Sequence, residues 1–225
     1  MEDMGEGPWV PTNIDGCVLW LRSDLGITKD GSNRVSLWTD QSEAGNDASQ
    51  DTDSKKPVWT TNQINGHPSL VWDNTDDQLT NATFDGTPPI TLFIVGKHVD
   101  DANNHYFMDD NTYGNYRAVA NAAAVHRYVV YAGVLLATGQ SYITSDYHYL
   151  TYTLNGANSE IFVNGVSGVS GNMGSNYADG YVLGDHKNGS ASLNGHLVEL
   201  IAYNSVLSTE NQQTAEAYLA TRYGL

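Results

Sequence analysis

The stretch Asn194-Gly195-His196-Leu197-Val198-Glu199-Leu200-Ile201-Ala202-Tyr203-Asn204 decides how the rest of the chain is read. It opens on an Asn-Gly turn pair and then runs apolar with little polar relief. Alternation with a period of two assigns Leu197, Glu199 and Ile201 to one face and Val198, Leu200 and Ala202 to the other. Both faces are apolar, so this strand is expected to be covered on both sides for much of its length.

Working outward, the same period appears in Ser159-Glu160-Ile161-Phe162-Val163-Asn164-Gly165-Val166, where Ile161 and Val163 oppose Glu160 and Phe162. Turn pairs recur through the chain, among them Asn65-Gly66, Asp85-Gly86, Asn155-Gly156, Asn164-Gly165 and Asn188-Gly189. Tight hairpins need positive φ at their central positions, which Asn, Asp and Gly tolerate. Between these turns, strands are expected at 17–21, 35–38, 69–72, 90–99, 116–120, 126–131, 147–154, 160–163, 181–183 and 195–203. One helix is expected over 208–222. Ser208 can cap it, Glu210 suits its first turn, Ala215, Tyr218, Leu219 and Arg222 share a face, and Gly224 stops it.

Composition agrees. The 225 residues include 22 glycines and are 40% hydrophobic, enough for one large β-sandwich over 1–225, with 1–14 as an N-terminal arm. A formal charge of −16, from 26 acidic and 10 basic side chains, repels phosphate backbones and anionic lipid. Nucleic acid is therefore not an expected partner. The longest apolar runs, such as 129–136, are too short to span a bilayer, so no membrane insertion is expected. Cys17 is the only cysteine, which leaves no disulfide framework, and residues 1–6 do not read as a signal peptide.

Several segments carry a resemblance. They are Leu19-Trp20-Leu21-Arg22-Ser23-Asp24, Val35-Ser36-Leu37-Trp38-Thr39-Asp40-Gln41-Ser42, Ile64-Asn65-Gly66-His67-Pro68-Ser69-Leu70-Val71-Trp72-Asp73, the 194–204 stretch and Glu216–Leu225. Together they resemble the laminin-G-like jelly-roll domains of the concanavalin A-like superfamily, as found in bacterial surface proteins and phage structural proteins. The resemblance implies an all-β fold: a two-sheet antiparallel jelly-roll sandwich with one C-terminal helix. The shared residues read as structural. Trp20 and Trp38 would each bury an indole whose N–H needs a partner, and Asp40 and Ser42 would bond the local backbone.

Catalytic chemistry finds no anchor. Hydrolytic relatives cluster carboxylates as Glu-x-Asp-x-Glu on one strand face, whereas the seven glutamates here form no such cluster and Glu199 has no carboxylate two positions away. There is no Gly-x-Ser-x-Gly elbow, zinc spacing, phosphate loop or dinucleotide fingerprint. Cys17 reads as a small core residue.

Binding chemistry is richer. His105, Tyr106, Asp109, Asp110, Asn111, Tyr113 and Tyr116 form the densest mixture of aromatic rings and polar groups, as a glycan site requires. Tyr142, Tyr147, His148 and Tyr149 form another such mixture. Calcium is the one cofactor the sequence raises, with Asp100, Asp101, Asp109 and Asp110 as candidate ligands and Asp73, Asp76 and Asp77 as a second acidic turn. The expected function is a non-catalytic binding or adhesion module on a virion surface, such as a phage decoration, fibre or spike subunit. Its partner would be a host glycan or a capsid or tail protein, with a homo-oligomer as one form. A secreted or cell-surface bacterial lectin-like domain is the alternative, extracellular in location, and a glycan-active enzyme comes third.

Overall fold

The computed structural model describes residues 9–99, 105–112, 117–121 (backbone only), 127–139, 146–189 and 191–225. In chain order the strands are β1 (Cys17–Arg22), β2 (Ile27–Lys29), β3 (Val35–Trp38), β4 (Ala48–Ser49), β5 (Val58–Ile64), β6 (His67–Asp73), β7 (Leu79–Gly86), β8 (Ile90–His98) and β9 (His105–Asp109). They continue as β10 (Arg117–Asn121), β11 (Val129–Tyr131), β12 (Leu135–Ala137), β13 (His148–Leu154), β14 (Ser159–Val163), β15 (Val166–Gly171), β16 (Ala178–Leu183) and β17 (Asn194–Tyr203), followed by helix α1 (Thr209–Tyr223).

Two antiparallel sheets stack as a sandwich. The first runs β15-β14-β13-β8-β17-β6-β5 with β1 also on β17, and the second runs β12-β11-β10-β9-β16-β7-β4-β3-β2. Between them lie Leu21, Trp38, Leu70, Trp72, Ile94, Phe107, Leu150, Tyr181 and Leu200. Each such side chain contributes about 1.5–3 kcal/mol by leaving water. Trp72 lies so close to Gly184 that a Cβ there would stand 1.8 Å from its Nε1, and Gly184 also needs φ +81°. Glycine answers both demands.

A second apolar layer forms on the outer face of the first sheet. Trp20, Phe93, Val95, Tyr149, Val198, Ile201 and Tyr203 meet Ala215, Leu219 and Tyr223 of α1, with Trp9 and Val10 of the N-terminal arm packed beside them. As expected, Ser208 caps α1 by accepting from Asn211 N at 3.2 Å, and Gly224 ends it in the left-handed region at φ 69°.

β17 is covered on both faces, but its alternation differs from the simple period. A register shift between Leu197 and Glu199 lets one residue slip, so Leu197, Leu200 and Ala202 share the inner face while Val198, Ile201 and Tyr203 share the outer one. A bulge inserts an extra residue and reverses the pattern after it. The Asp40 turn behaves as the sequence implies: its Oδ1 accepts from Trp20 N (2.8 Å) and Ser42 N (2.9 Å), its Oδ2 from Ser42 Oγ (2.7 Å) and Asn46 N (3.0 Å). Trp20 finds its partner in Glu199, whereas Trp38 Nε1 has none among the described residues. Cys17 is half-buried, and burial pushes its thiol up to about 12, consistent with an inert side chain.

Candidate functional site

The β17 bulge coincides with a change of neighbour. One edge of β17 pairs with β1 from Tyr203 to Glu199 and with β6 from Leu197 to Asn194. The two strands meet end to end there, and Ser23 closes the junction, taking Val198 O with its amide (2.9 Å) and Pro68 O with its hydroxyl (2.6 Å). The junction brings Arg22 and Asp24 from the end of β1 against His67, the first residue of β6. Tyr218 and Arg222 of α1 close over the seam from above.

The result is an open cleft of about 740 Å³, lined by Trp9, Val10, Arg22, His67, Tyr218 and Arg222 with the exposed turn residues Thr214, Ala217 and Thr221 of α1. The Trp9 and Tyr218 rings meet at 5.0 Å between centroids, tilted by 52°. Asp24 ties the polar side together: its Oδ1 accepts from Arg22 Nε at 2.6 Å and its Oδ2 from Arg222 Nη2 at 2.5 Å. Arg222 Nη2 also lies 3.3 Å from His67 Nδ1. An arginine only donates, so His67 Nδ1 accepts and the imidazole proton sits on Nε2. Burial, then the neighbouring Arg222 charge, hold the His67 pKa below its ordinary value, which keeps that tautomer neutral.

Beneath this surface Glu199 is fully buried, with 1% exposure. It accepts from Trp20 Nε1 at 2.7 Å, Tyr218 OH at 2.9 Å and Tyr223 OH at 2.5 Å. Burial raises its pKa, and the three donors work against that rise. Glu199 therefore anchors α1 and the cleft wall to β17.

The residues favoured by the sequence lie elsewhere, where β9 meets the loop after β16. His105, Tyr106, Asp109 and Asp110 are all buried there. His105 Nδ1 stands 2.8 Å from Ser192 O, and the Tyr106 ring packs edge-on against His186 at 5.3 Å. His105 and Tyr106 lie on β9, which is buried at every position. Asp109 Oδ2 accepts from Lys187 N at 2.9 Å and lies 3.8 Å from His186 Nε2. Asp110 Oδ2 accepts from Thr112 Oγ1 at 3.3 Å, and the Lys187 ammonium bonds Asn111 Oδ1. Tyr113, Tyr116, Asp100 and Asp101 lie outside the described residues. Among the described residues no group of three or more His, Cys, Asp or Glu is placed to hold a metal ion. In the turn after β6, burial and then the neighbouring Asp73 and Asp76 push the Asp77 carboxyl up to about 7.

Trp9, Asp24, His67, Tyr218 and Arg222 were not singled out as a binding set by the sequence. They come from four separate segments, and only the strand junction joins them.

No protein-family model and no curated protein matches the chain. Solved structures do. The binding domain of Paraclostridial Mosquitocidal Protein 1 is similar at 12% identity and TM-score 0.65, over 91% of this chain and 52% of that one. The Botulinum neurotoxin serotype D ligand binding domain, in complex with N-acetylneuraminic acid, is similar at 12% identity and TM-score 0.61, over 90% and 51%. A Trypanosoma rangeli sialidase in complex with sialic acid gives 13% and 0.61, over 93% of this chain but 35% of the enzyme. The chain thus spans between a third and about half of these proteins. At such identities the likeness shows the fold alone, a β-sandwich. No helix among the described residues is long and apolar enough to cross a membrane.

Proposed function

We propose that this chain is a laminin-G-like, non-catalytic glycan-binding module and that the seam cleft is its binding site. The observation that carries the reading is the convergence, in one open concavity, of an aromatic wall (Trp9, Tyr218) with Arg22, His67 and Arg222, the two guanidiniums held by Asp24. Sugars offer apolar C–H faces to flat rings and vicinal hydroxyls to paired donors and acceptors. A guanidinium held by a carboxylate keeps other N–H groups in a fixed fork, which costs little ordering on binding. The sialic acid and N-acetylneuraminic acid in two of the similar structures support the same class of ligand.

The non-catalytic part rests on what the acids and nucleophiles are doing. Glu199 is buried and committed to three donors, so it faces no substrate. Asp24 is paired with two guanidiniums, an arrangement that suits holding rather than proton transfer. Ser69 Oγ lies 3.0 Å from His196 Nδ1, a nucleophile–base spacing, yet Ser69 has 0% exposure and no substrate carbonyl could reach it. Display on a virion surface belongs to the same proposal, and what supports it is the resemblance of the sequence to the jelly-roll domains of phage structural proteins.

A printed glycan array tests the proposal, read with wild type, Trp9→Ala and Arg222→Ala. Defined glycans should bind wild type, and each variant should lose at least ~10-fold, equivalent to about 1.4 kcal/mol. No bound glycan, or variants that bind as wild type does, would overturn it.

A second reading, a structural subunit, is favoured by one observation. Val134 (46% exposed), Leu135 (57%) and Tyr177 (49%) are exposed apolar or aromatic residues on two segments that the Asn176 N to Ala132 O bond brings side by side. Light scattering decides it: a stable oligomer without glycan signal would make this patch the contact.

A further inference from the structure

The outer face of the first sheet continues beyond the cleft. Helix α1 covers it around Phe93, Val95 and Ile201. The next row across the sheet lies past the helix: Val71 of β6 pairs with His196 of β17, and His196 with Lys97 of β8. Tyr147, just before β13, completes the row, with the Lys97 ammonium 4.6 Å from its ring centroid. All four side chains are half-buried and reach solvent.

The row is held in one arrangement. Tyr147 OH and Ser69 Oγ each lie 3.0 Å from His196 Nδ1, and the two rings stand nearly perpendicular at 5.7 Å. Either hydroxyl can donate to or accept from the imidazole, so these contacts fix the position of the ring and not its tautomer. Burial, then the Lys97 charge, bring the His196 pKa down to about 4, so the ring is neutral at pH 7. The row is physically joined to the cleft: His67 and Ser69 are alternate residues of β6, two positions or about 7 Å apart.

We propose that Val71, Lys97, Tyr147 and His196 form a second sugar subsite continuous with the seam cleft, so that the module takes an oligosaccharide laid across β6, β17 and β8. This rests on the glycan-binding reading of the cleft. The subsite uses the same kinds of group as the cleft: an aromatic ring, a cationic donor and a neutral imidazole. A ligand seated only in the cleft would leave these groups facing water. A chain crossing the seam uses both sets, and ordered side chains on strands lose little entropy when they bind it.

The test uses size-graded β-linked glucose, galactose and N-acetylglucosamine ladders of one to six units, titrated against wild type, Trp9→Ala, Lys97→Gln, Tyr147→Ala and Tyr147→Phe. Half-saturation of wild type should fall at least ~10-fold from one unit to three or four, in one of the ladders. Lys97→Gln and Tyr147→Ala should cut that gain below about threefold. Tyr147→Phe, which keeps the ring and the packing, should retain most of it, separating a lost sugar contact from a disturbed fold. If single sugars bind, Trp9→Ala abolishes that binding and length still adds nothing, the second subsite falls while the cleft stands. A length gain that survives in Lys97→Gln and Tyr147→Ala also overturns it. If no ladder member of any length binds wild type, the inference falls, and the glycan array decides the cleft reading separately.

Discussion

Two polar, aromatic clusters in this molecule have opposite physical character. At the β9 rim, His105, Tyr106, Asp109, Asp110, Asp185 and His186 are all buried, and several of their polar atoms bond the protein itself, as His105 Nδ1 does Ser192 O and Asp109 Oδ2 does Lys187 N. At the seam cleft, Trp9, Arg22, His67, Tyr218 and Arg222 are half-buried and surround open space. Buried polar groups must be satisfied internally and so hold loops together, whereas partly exposed ones retain capacity for a ligand. Residue type alone does not tell a binding site from a structural network; what decides is which groups still face water.

The difference predicts a double dissociation between stability and binding. The largest effect is expected where both regions' logic meets, at Glu199 under the cleft. Glu199→Ala strands the Trp20, Tyr218 and Tyr223 donors in the interior, at about 1–3 kcal/mol for each donor left unsatisfied. Calorimetry should show Tm lowered by at least about 6 °C and, with α1 loosened, glycan binding lost as well. An unchanged Tm would show that Glu199 is not the anchor described.

Asp109→Ala comes next and belongs to the rim. Removing the acceptor of Lys187 N should cost about 2–3 kcal/mol by thermal melting while glycan half-saturation stays within about twofold. Lost binding with little loss of stability would move the site to the rim and dissolve the contrast. Arg222→Ala should behave in the opposite sense, with at least ~10-fold weaker binding and a Tm within about 4 °C of wild type.

The smallest effect is one of pH. The Asp77 carboxyl titrates near 7 in the fold, against an ordinary value of 3.8. The folded state therefore holds this proton more tightly than the unfolded chain does. Its contribution is fully present below about 4 and is lost as pH rises through 7. Asp77→Asn, which stays uncharged, should raise stability by ~1–2 kcal/mol at pH 8 and change it little at pH 4. A gain of equal size at both pH values would mean that charge is not the cause.

Much of the fold was legible from local pattern. The two-face burial of β17, the alternation of Ile161 and Val163 against Glu160 and Phe162, the Ser208 cap and the Gly224 stop all follow from short-range rules, and the structure shows each. The strands that escaped are short, polar or both. β7, Leu79–Gly86, carries Thr, Asn and Asp at alternate positions, and β15 is largely exposed, so neither presents an apolar period. The Val198 bulge was also hidden, since an apolar run reads the same in either register. The cleft escaped for a different reason. Asp24, His67 and Arg222 meet only because β1 and β6 share one edge of β17, a non-local fact that no window of sequence contains. The density of Tyr, His and Asp at 105–110 lies on residues that the chain buries, which residue type alone did not reveal. Tyr147, flagged within a secondary mixture, does stand on an accessible face.

The most direct test of the central claim is chemical-shift mapping of the ¹⁵N-labelled protein during titration with the strongest glycan found on the array. Saturable shifts should concentrate at Trp9, Arg22, His67, Thr214, Tyr218 and Arg222, with the amides of 105–112 and 185–189 left in place. Shifts confined to 105–112 and 185–189, with the seam silent, would contradict the account and return the binding site to the rim.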